Sequence, residues 1–102
     1  MKVGCVKEIK KLEYRVGLTP DNVQAYCAHG HTVQIEAGAG AGSGFSDEAY
    51  RAAGAEIAPD AETVWSTCDM VVKVKEPLAP EYPLMREDQI LYTCLLYRSR
   101  CV

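Results

Sequence analysis

No stretch of this 102-residue sequence is apolar for more than a few residues, far short of the ~20 that span a bilayer. The opening Met1-Lys2-Val3-Gly4-Cys5-Val6-Lys7 turns charged too soon for a secretory signal. Together these absences make the cytoplasm the expected compartment. Paired metal ligands are missing too. The only histidines, His29 and His31, flank Gly30 at i, i+2, a spacing that does not share a helix face. The five cysteines, at 5, 27, 68, 94 and 101, are odd in number and include no C-x-x-C, so zinc-ribbon, zinc-finger and thioredoxin readings fail on spacing. The cysteines are expected to be small, buried or half-buried apolar groups, with Cys101, near the chain end, exposed and oxidisable. Nor is there a basic stripe, which argues against nucleic-acid binding.

What is present is a globular composition, 48% apolar and 25% charged, which excludes a disordered or collagen-like chain. The length suits one small domain. Net charge is −3, unevenly spread. Residues 1–17 hold five basic groups against Glu8 and Glu13, whereas residues 18–72 hold Arg51 against eight acids. The positive ends could converge on a small anion if the fold joins them.

The apolar pattern alternates between two periods. Val3, Cys5 and Val6 mark a first strand within residues 2–7. Thr19-Pro20-Asp21 is a helix start with a capping threonine, proline at the first helical position and an acid in the first turn. Val23, Tyr26 and Cys27 give that helix a buried stripe, and Gly30 stops it. A second strand spans 31–36. Ser46-Asp47-Glu48 begins a short helix that Gly54 closes, Glu56-Ile57-Ala58 is a third strand, and Asp60 caps a helix to about Cys68. Met70 to Val74, more continuously apolar, reads as a central fourth strand. Prolines 77, 80 and 83 bracket an irregular helix around Leu84 and Met85, and residues 90–96 form a fifth strand. Strands and helices alternating on short links give a parallel α/β sheet covered on both faces.

The run Gly38-Ala39-Gly40-Ala41-Gly42-Ser43-Gly44 cannot be regular structure. It matches neither G-x-G-x-x-G nor the phosphate loop ending in Gly-Lys-Ser/Thr. Its glycines either let the chain turn tightly or allow close backbone approach to an anion or a neighbouring domain. Arg15, between the first strand and first helix, and Lys75, after the fourth strand, both map to the carboxyl ends of the strands, where open α/β sheets bind ligands. A guanidinium there can grip a carboxylate by two bonds, and a lysine can hydrogen-bond a carbonyl. From spacing alone each is more often a solvated surface charge, and their falling at the same mouth raises the binding reading modestly.

Val3-Gly4-Cys5-Val6-Lys7-Glu8-Ile9-Lys10 followed by Glu13-Tyr14-Arg15-Val16-Gly17-Leu18-Thr19-Pro20 resembles the N-terminus of the alanine dehydrogenases. The resemblance continues through Ala28-His29-Gly30-His31, residues 36–47, Tyr50-Arg51-Ala52-Ala53-Gly54-Ala55 and Val72-Lys73-Val74-Lys75-Glu76-Pro77. It covers residues 1–93, as the first part of a substrate domain, and leaves 94–102 as a divergent tail. It implies a Rossmann- or flavodoxin-like open sheet, here incomplete, in a homo-oligomer that interconverts L-alanine with pyruvate and ammonium using NAD. It further implies that Arg15 binds the substrate carboxylate and that Lys75 contacts the carboxylate and carbonyl region.

The departures are as informative. The family continues Tyr-Leu-His after Ile90-Leu91-Tyr92-Thr93, with the histidine moving a proton; this chain has Cys94-Leu95-Leu96, so Leu96 stands at the histidine position. The NAD domain and its glycine fingerprint are not in this sequence. The expectation is that the chain alone binds the substrate side at most, holds no cofactor or metal, and is inactive. Two alternatives stand beside it: the NAD-binding subunit of a proton-translocating transhydrogenase, and a non-catalytic self-associating domain.

Overall fold

The computed structural model describes residues 1–9, 15–74 and 79–93. Five parallel strands lie in the order β3-β2-β1-β4-β5: β1 Lys2–Cys5, β2 Thr32–Glu36, β3 Glu56–Ala58, β4 Met70–Lys73 and β5 Ile90–Thr93. Val3 is opposite Val33 on one side and Met70 on the other, so the first strand is the middle of the sheet. The expectation of an α/β parallel sheet holds. β4 is interior, but the central place belongs to β1.

Three α-helices among the described residues cover the faces. α1 (Pro20–Ala28) and α2 (Asp47–Ala53) pack on one face, where Val23 and Tyr50 join Val3, Cys5, Val33 and Ile35. α3 (Ala61–Thr67) packs on the other, where Val64 and Trp65 meet Val6, Ala58 and Val71. β1 shows why both faces are apolar: Val3 and Cys5 point towards α1 and α2, and Gly4 faces α3. A Cβ on Gly4 would come within 2.6 Å of Val64 Cγ1, so its absence lets α3 lie close.

Local signals set the helix bounds. Thr19 caps α1, accepting from the Asn22 N–H at 3.3 Å while Asn22 Oδ1 accepts from the Thr19 N–H at 3.0 Å. Ser46 and Asp60 cap α2 and α3, and Gly54 ends α2 in the left-handed region. The expected buried stripe of α1 is narrower than its spacing suggested: Val23 is buried, and Tyr26 and Cys27 are half-buried at the rim. The glycine run contains one 3-10 turn, Ala41–Ser43, between left-handed Gly38 and Gly44. A second 3-10 segment, Ala79–Leu84, precedes β5. β4 ends at Lys73, one residue short of expectation, and the expected continuation of β5 through Leu96 lies outside the described residues.

Candidate functional site

A parallel sheet opens a crevice at the carboxyl ends of its strands where adjacent connections leave to opposite faces. Here that point lies between β1 and β4. The chain after β1 returns over the α1 face, whereas the 3-10 segment after β4 packs with the α3 cluster. A cavity of about 510 Å³ occupies the α1 side of this mouth. Its walls are the β1–α1 connection from Arg15 to Thr19, the start of α1 at Asn22, the end of the glycine run at Ser43 and Phe45, and the strand ends at Val72–Val74 and Tyr92. The lining is mostly apolar, with Arg15 exposed at its edge. The first turn of α1 opens on the same cavity, and its positive dipole end adds to the guanidinium charge. Such a mouth suits a small anion with an apolar body.

Three contacts hold the β1–α1 connection against the sheet. Gly17 lies so close to β4 that a Cβ there would come within 2.7 Å of the Val72 carbonyl oxygen. The Tyr50 hydroxyl, from α2, donates to the Leu18 carbonyl at 2.6 Å. Beneath them, burial pushes the Cys5 thiol up to about 12, offset only in part by the backbone N–H groups of Leu18 and Gly17. That thiol is an inert packing group.

On the other side of the same mouth is a buried charge cluster. Lys73 Nζ lies 3.1 Å from Glu8 Oε1 and 3.1 Å from Glu81 Oε2. All three side chains are buried, and Glu8 Oε2 also accepts from the Val74 N–H at 3.0 Å. The lysine therefore ties the chain after β1 and the 3-10 segment before β5 to the end of β4. Next to it, half-buried Glu36 accepts from the Lys7 N–H at 2.7 Å. Desolvation raises its pKa above the ordinary carboxylate value; the Lys7 contacts oppose this, and the charges of Asp60 and Glu81 add to it.

Of the residues singled out in the sequence, Arg15 lines the cavity; Lys75 and Leu96 lie outside the described residues, as do Cys94 and Cys101. Cys5 and Cys68 are buried and Cys27 is half-buried. His29 and His31 sit at the opposite end of the sheet, where the Thr32 N–H bonds to the Met1 carbonyl, and line a 270 Å³ hollow that adjoins the first cavity through Asn22 and Tyr26. Among the described residues no cluster of three His, Cys, Asp or Glu could hold a metal, and no helix is long and apolar enough to cross a membrane. Glu8, Lys73 and Tyr50 escaped sequence reasoning. Lys73 carried one signal, a lysine inside the apolar run Met70–Val74, whereas Tyr50 carried none.

Among the described residues, two closely packed glycines are taken up by contacts within the protein. A pyrophosphate seats on glycines that open the first helix after β1. Here Gly17 in that connection is pressed on Val72, and Gly40 is filled by Tyr50, whose Oη lies 2.6 Å from where its Cβ would be.

Comparison with known proteins agrees over nearly the whole chain. A family model described as Alanine dehydrogenase/PNT, N-terminal domain, matches residues 4–99. An alanine dehydrogenase of Bilophila wadsworthia is 57% identical over 95 residues, 93% of this chain and 25% of that protein. One from Methanococcus maripaludis is 53% identical over 93% of this chain and 26% of its own length. A solved L-alanine dehydrogenase superposes with a TM-score of 0.89 at 53% identity, covering 91% of this chain and 26% of its own. A transhydrogenase from Sinorhizobium meliloti superposes at 0.86 with 30% identity, over 93% of this chain and 28% of its own. The chain thus spans about a quarter of the length of the curated relatives it matches.

Proposed function

The chain belongs to the alanine dehydrogenase/PNT N-terminal domain family, and we propose that it forms the carboxylate-binding wall of a site for L-alanine and pyruvate. The observation that carries this reading is the 510 Å³ cavity at the β1–β4 mouth with Arg15 at its edge. Arg15 grips the substrate carboxylate through its planar fork, and the apolar wall at Leu18, Phe45 and Val72 receives the methyl group. Lys75, two residues beyond Lys73, contacts the carboxylate and carbonyl region and favours negative charge on oxygen. In the family reaction L-alanine is oxidised to pyruvate and ammonium, and NAD takes the hydride. No step through NAD follows from this chain's residues. Leu96 supplies no proton, so the chain alone binds the substrate side without turnover.

The same reading places the protein in the cytoplasm and in a homo-oligomer. The half-exposed Ile90 and Tyr92 on β5, last in the order of described strands, support the latter. The transhydrogenase likeness supports a second assignment, the corresponding domain of that enzyme, but at 30% identity against 53%.

The test is titration of the 102-residue protein with pyruvate, followed by amide NMR shifts. Shifts confined to residues 15–19, 43–45 and 72–74 are expected, with Arg15→Lys weakening binding by about 1–3 kcal/mol, the value of a charge-assisted hydrogen bond. Shifts elsewhere, or an unchanged affinity in Arg15→Lys, would refute the assignment. NADH formation from L-alanine by the purified chain would refute the claim that it does not turn over.

A further inference from the structure

We propose that Tyr50 is the positioning residue of this mouth, its hydroxyl holding the connection that carries Arg15 and its ring seating the glycine run that forms the facing wall. The inference rests on the carboxylate-binding reading only for its effect on affinity; the positioning itself is a property of the chain.

Tyr50 is fully buried on α2 and does not line the cavity. It stands behind two of the cavity walls at once. Its Oη donates to the Leu18 carbonyl at 2.6 Å, three residues from Arg15 and 32 residues away in sequence. On its other side Gly40 leaves just the space the phenol fills, with Oη and Cε2 at 2.6 and 2.7 Å from where a Cβ would stand. The Phe45 ring, part of the cavity wall, meets the Tyr50 ring edge-on at a centroid distance of 6.3 Å and an interplanar angle of 74°. The glycine run is further pinned to α2 by the Gly38 N–H, which donates to Asp47 Oδ1 at 2.9 Å.

The two walls come from connections after different strands, β1 and β2, and Tyr50 touches both. Burial pushes the phenol's pKa further above its ordinary value, so the hydroxyl stays a donor throughout the working pH range. Leu18 is itself 3% exposed. Without the hydroxyl its carbonyl finds no ready replacement from water, and the connection gains reason to lift from the sheet. Apolar packing cannot supply this role, because phenylalanine fills the same ring volume and lacks only the bond. A glycine run that matches no phosphate-binding pattern also acquires a purpose: Tyr50 requires a glycine at position 40.

The experiment compares Tyr50→Phe with Val64→Ala, a core truncation on the opposite face of the sheet, in the 102-residue protein. Amide hydrogen exchange is read at Leu18, at Phe45 (whose N–H bonds to the Gly40 carbonyl at 2.9 Å) and along α3. In Tyr50→Phe, exchange at Leu18 and Phe45 should rise by about three- to tenfold more than in α3, the factor of one net hydrogen bond. In Val64→Ala the α3 amides should rise more. Pyruvate affinity should fall by about the same factor in Tyr50→Phe and stay unchanged in Val64→Ala, both measured where each variant is folded. Gly40→Ala pushes on the phenol from its other side and should repeat the Tyr50→Phe pattern, which keeps the proposal decidable if Tyr50→Phe does not fold. Exchange in both variants that rises uniformly, with no excess at Leu18 and Phe45, would overturn it. Failure of the wild-type protein to bind pyruvate would sink the carboxylate reading alone, since the exchange pattern still decides the role of Tyr50.

Discussion

Gly17→Ala is the substitution whose effect the structure fixes most directly. The added carbon would stand 2.7 Å from the Val72 carbonyl oxygen, 3.0 Å from its carbon and 3.2 Å from Lys73 Cα, all backbone atoms. An ordinary carbon–oxygen contact needs about 3.3 Å, so relief requires a shift of ~0.6 Å. β4 cannot supply it, because Val72 is paired with Cys5 on one side and Tyr92 on the other. The β1–α1 connection must move instead, carrying Leu18 away from Tyr50 and Arg15 away from the cavity. Overpacking of this kind costs about 1–3 kcal/mol, out of the ~5–15 kcal/mol typical of a domain. Urea unfolding can follow Trp65, the single tryptophan, which is buried on the opposite face and so reports the global transition. Pyruvate titration reports the mouth. Gly30→Ala is the matched control: at φ +86° with nothing within 4 Å, it meets backbone strain of about 1–2 kcal/mol and no clash. Both variants should lose stability, but only Gly17→Ala should lose affinity. Equal affinities in the two, or a Gly17→Ala protein as stable as wild type, would refute the reasoning.

Three further outcomes are expected. Lys73→Met leaves the Glu8 and Glu81 carboxylates without the buried lysine and should cost about 3–5 kcal/mol in urea unfolding; Glu81→Gln, which leaves Lys73 paired with Glu8, should cost less, and the reverse order would contradict the cluster's geometry. Because Glu36 holds its proton more tightly folded than unfolded, it contributes stability that is present at low pH and lost as pH rises through its folded pKa; Glu36→Gln, which keeps an acceptor for Lys7, should therefore be more stable than wild type at pH 7, with the gap closing under acid, and urea midpoints at the two pH values check it. Light scattering at micromolar concentration should find a dimer or larger, and a lone monomer would remove the oligomer reading.

Where the sequence spoke through one residue and its near neighbours, it was legible. Thr19-Pro20, Ser46 with Gly54, and Asp60 each act within one helical turn, and each marked a helix end correctly. The strand order was not readable. Bringing β1 between β2 and β4 depends on contacts such as the Lys2 N–H bond to Asp69, 67 residues apart, which no local period reports. Polar groups on buried strand faces were hidden for the same reason: Gln34 accepts from Thr67 at 2.8 Å across 33 residues, and Lys73 finds Glu8 across 65. Arg15 was legible because a cation just ahead of a helix start, after a first strand, must sit near the strand mouth. Tyr50 was not, because its function lies in a bond to a backbone carbonyl on another connection.

The central place of β1 also dictates an order of events during synthesis. Its first neighbour, β2, follows closely and can pair at once, but its second, β4, emerges about 67 residues later. Once β2 is out, the 37 residues from Glu36 to Lys73 remain to be made, so at roughly 5–20 residues per second the nascent sheet waits ~2–7 s with one flank of its middle strand unpaired. During that interval the edge of Lys2–Cys5 is a template for any other extended chain, and only arrival of Met70–Lys73 closes it. The β1–β4 pairing is also the most distant in sequence, so the step that completes this mouth is the slowest to find by search. A newborn chain therefore passes through a stage with α1 and α2 in place on the first face and no mouth.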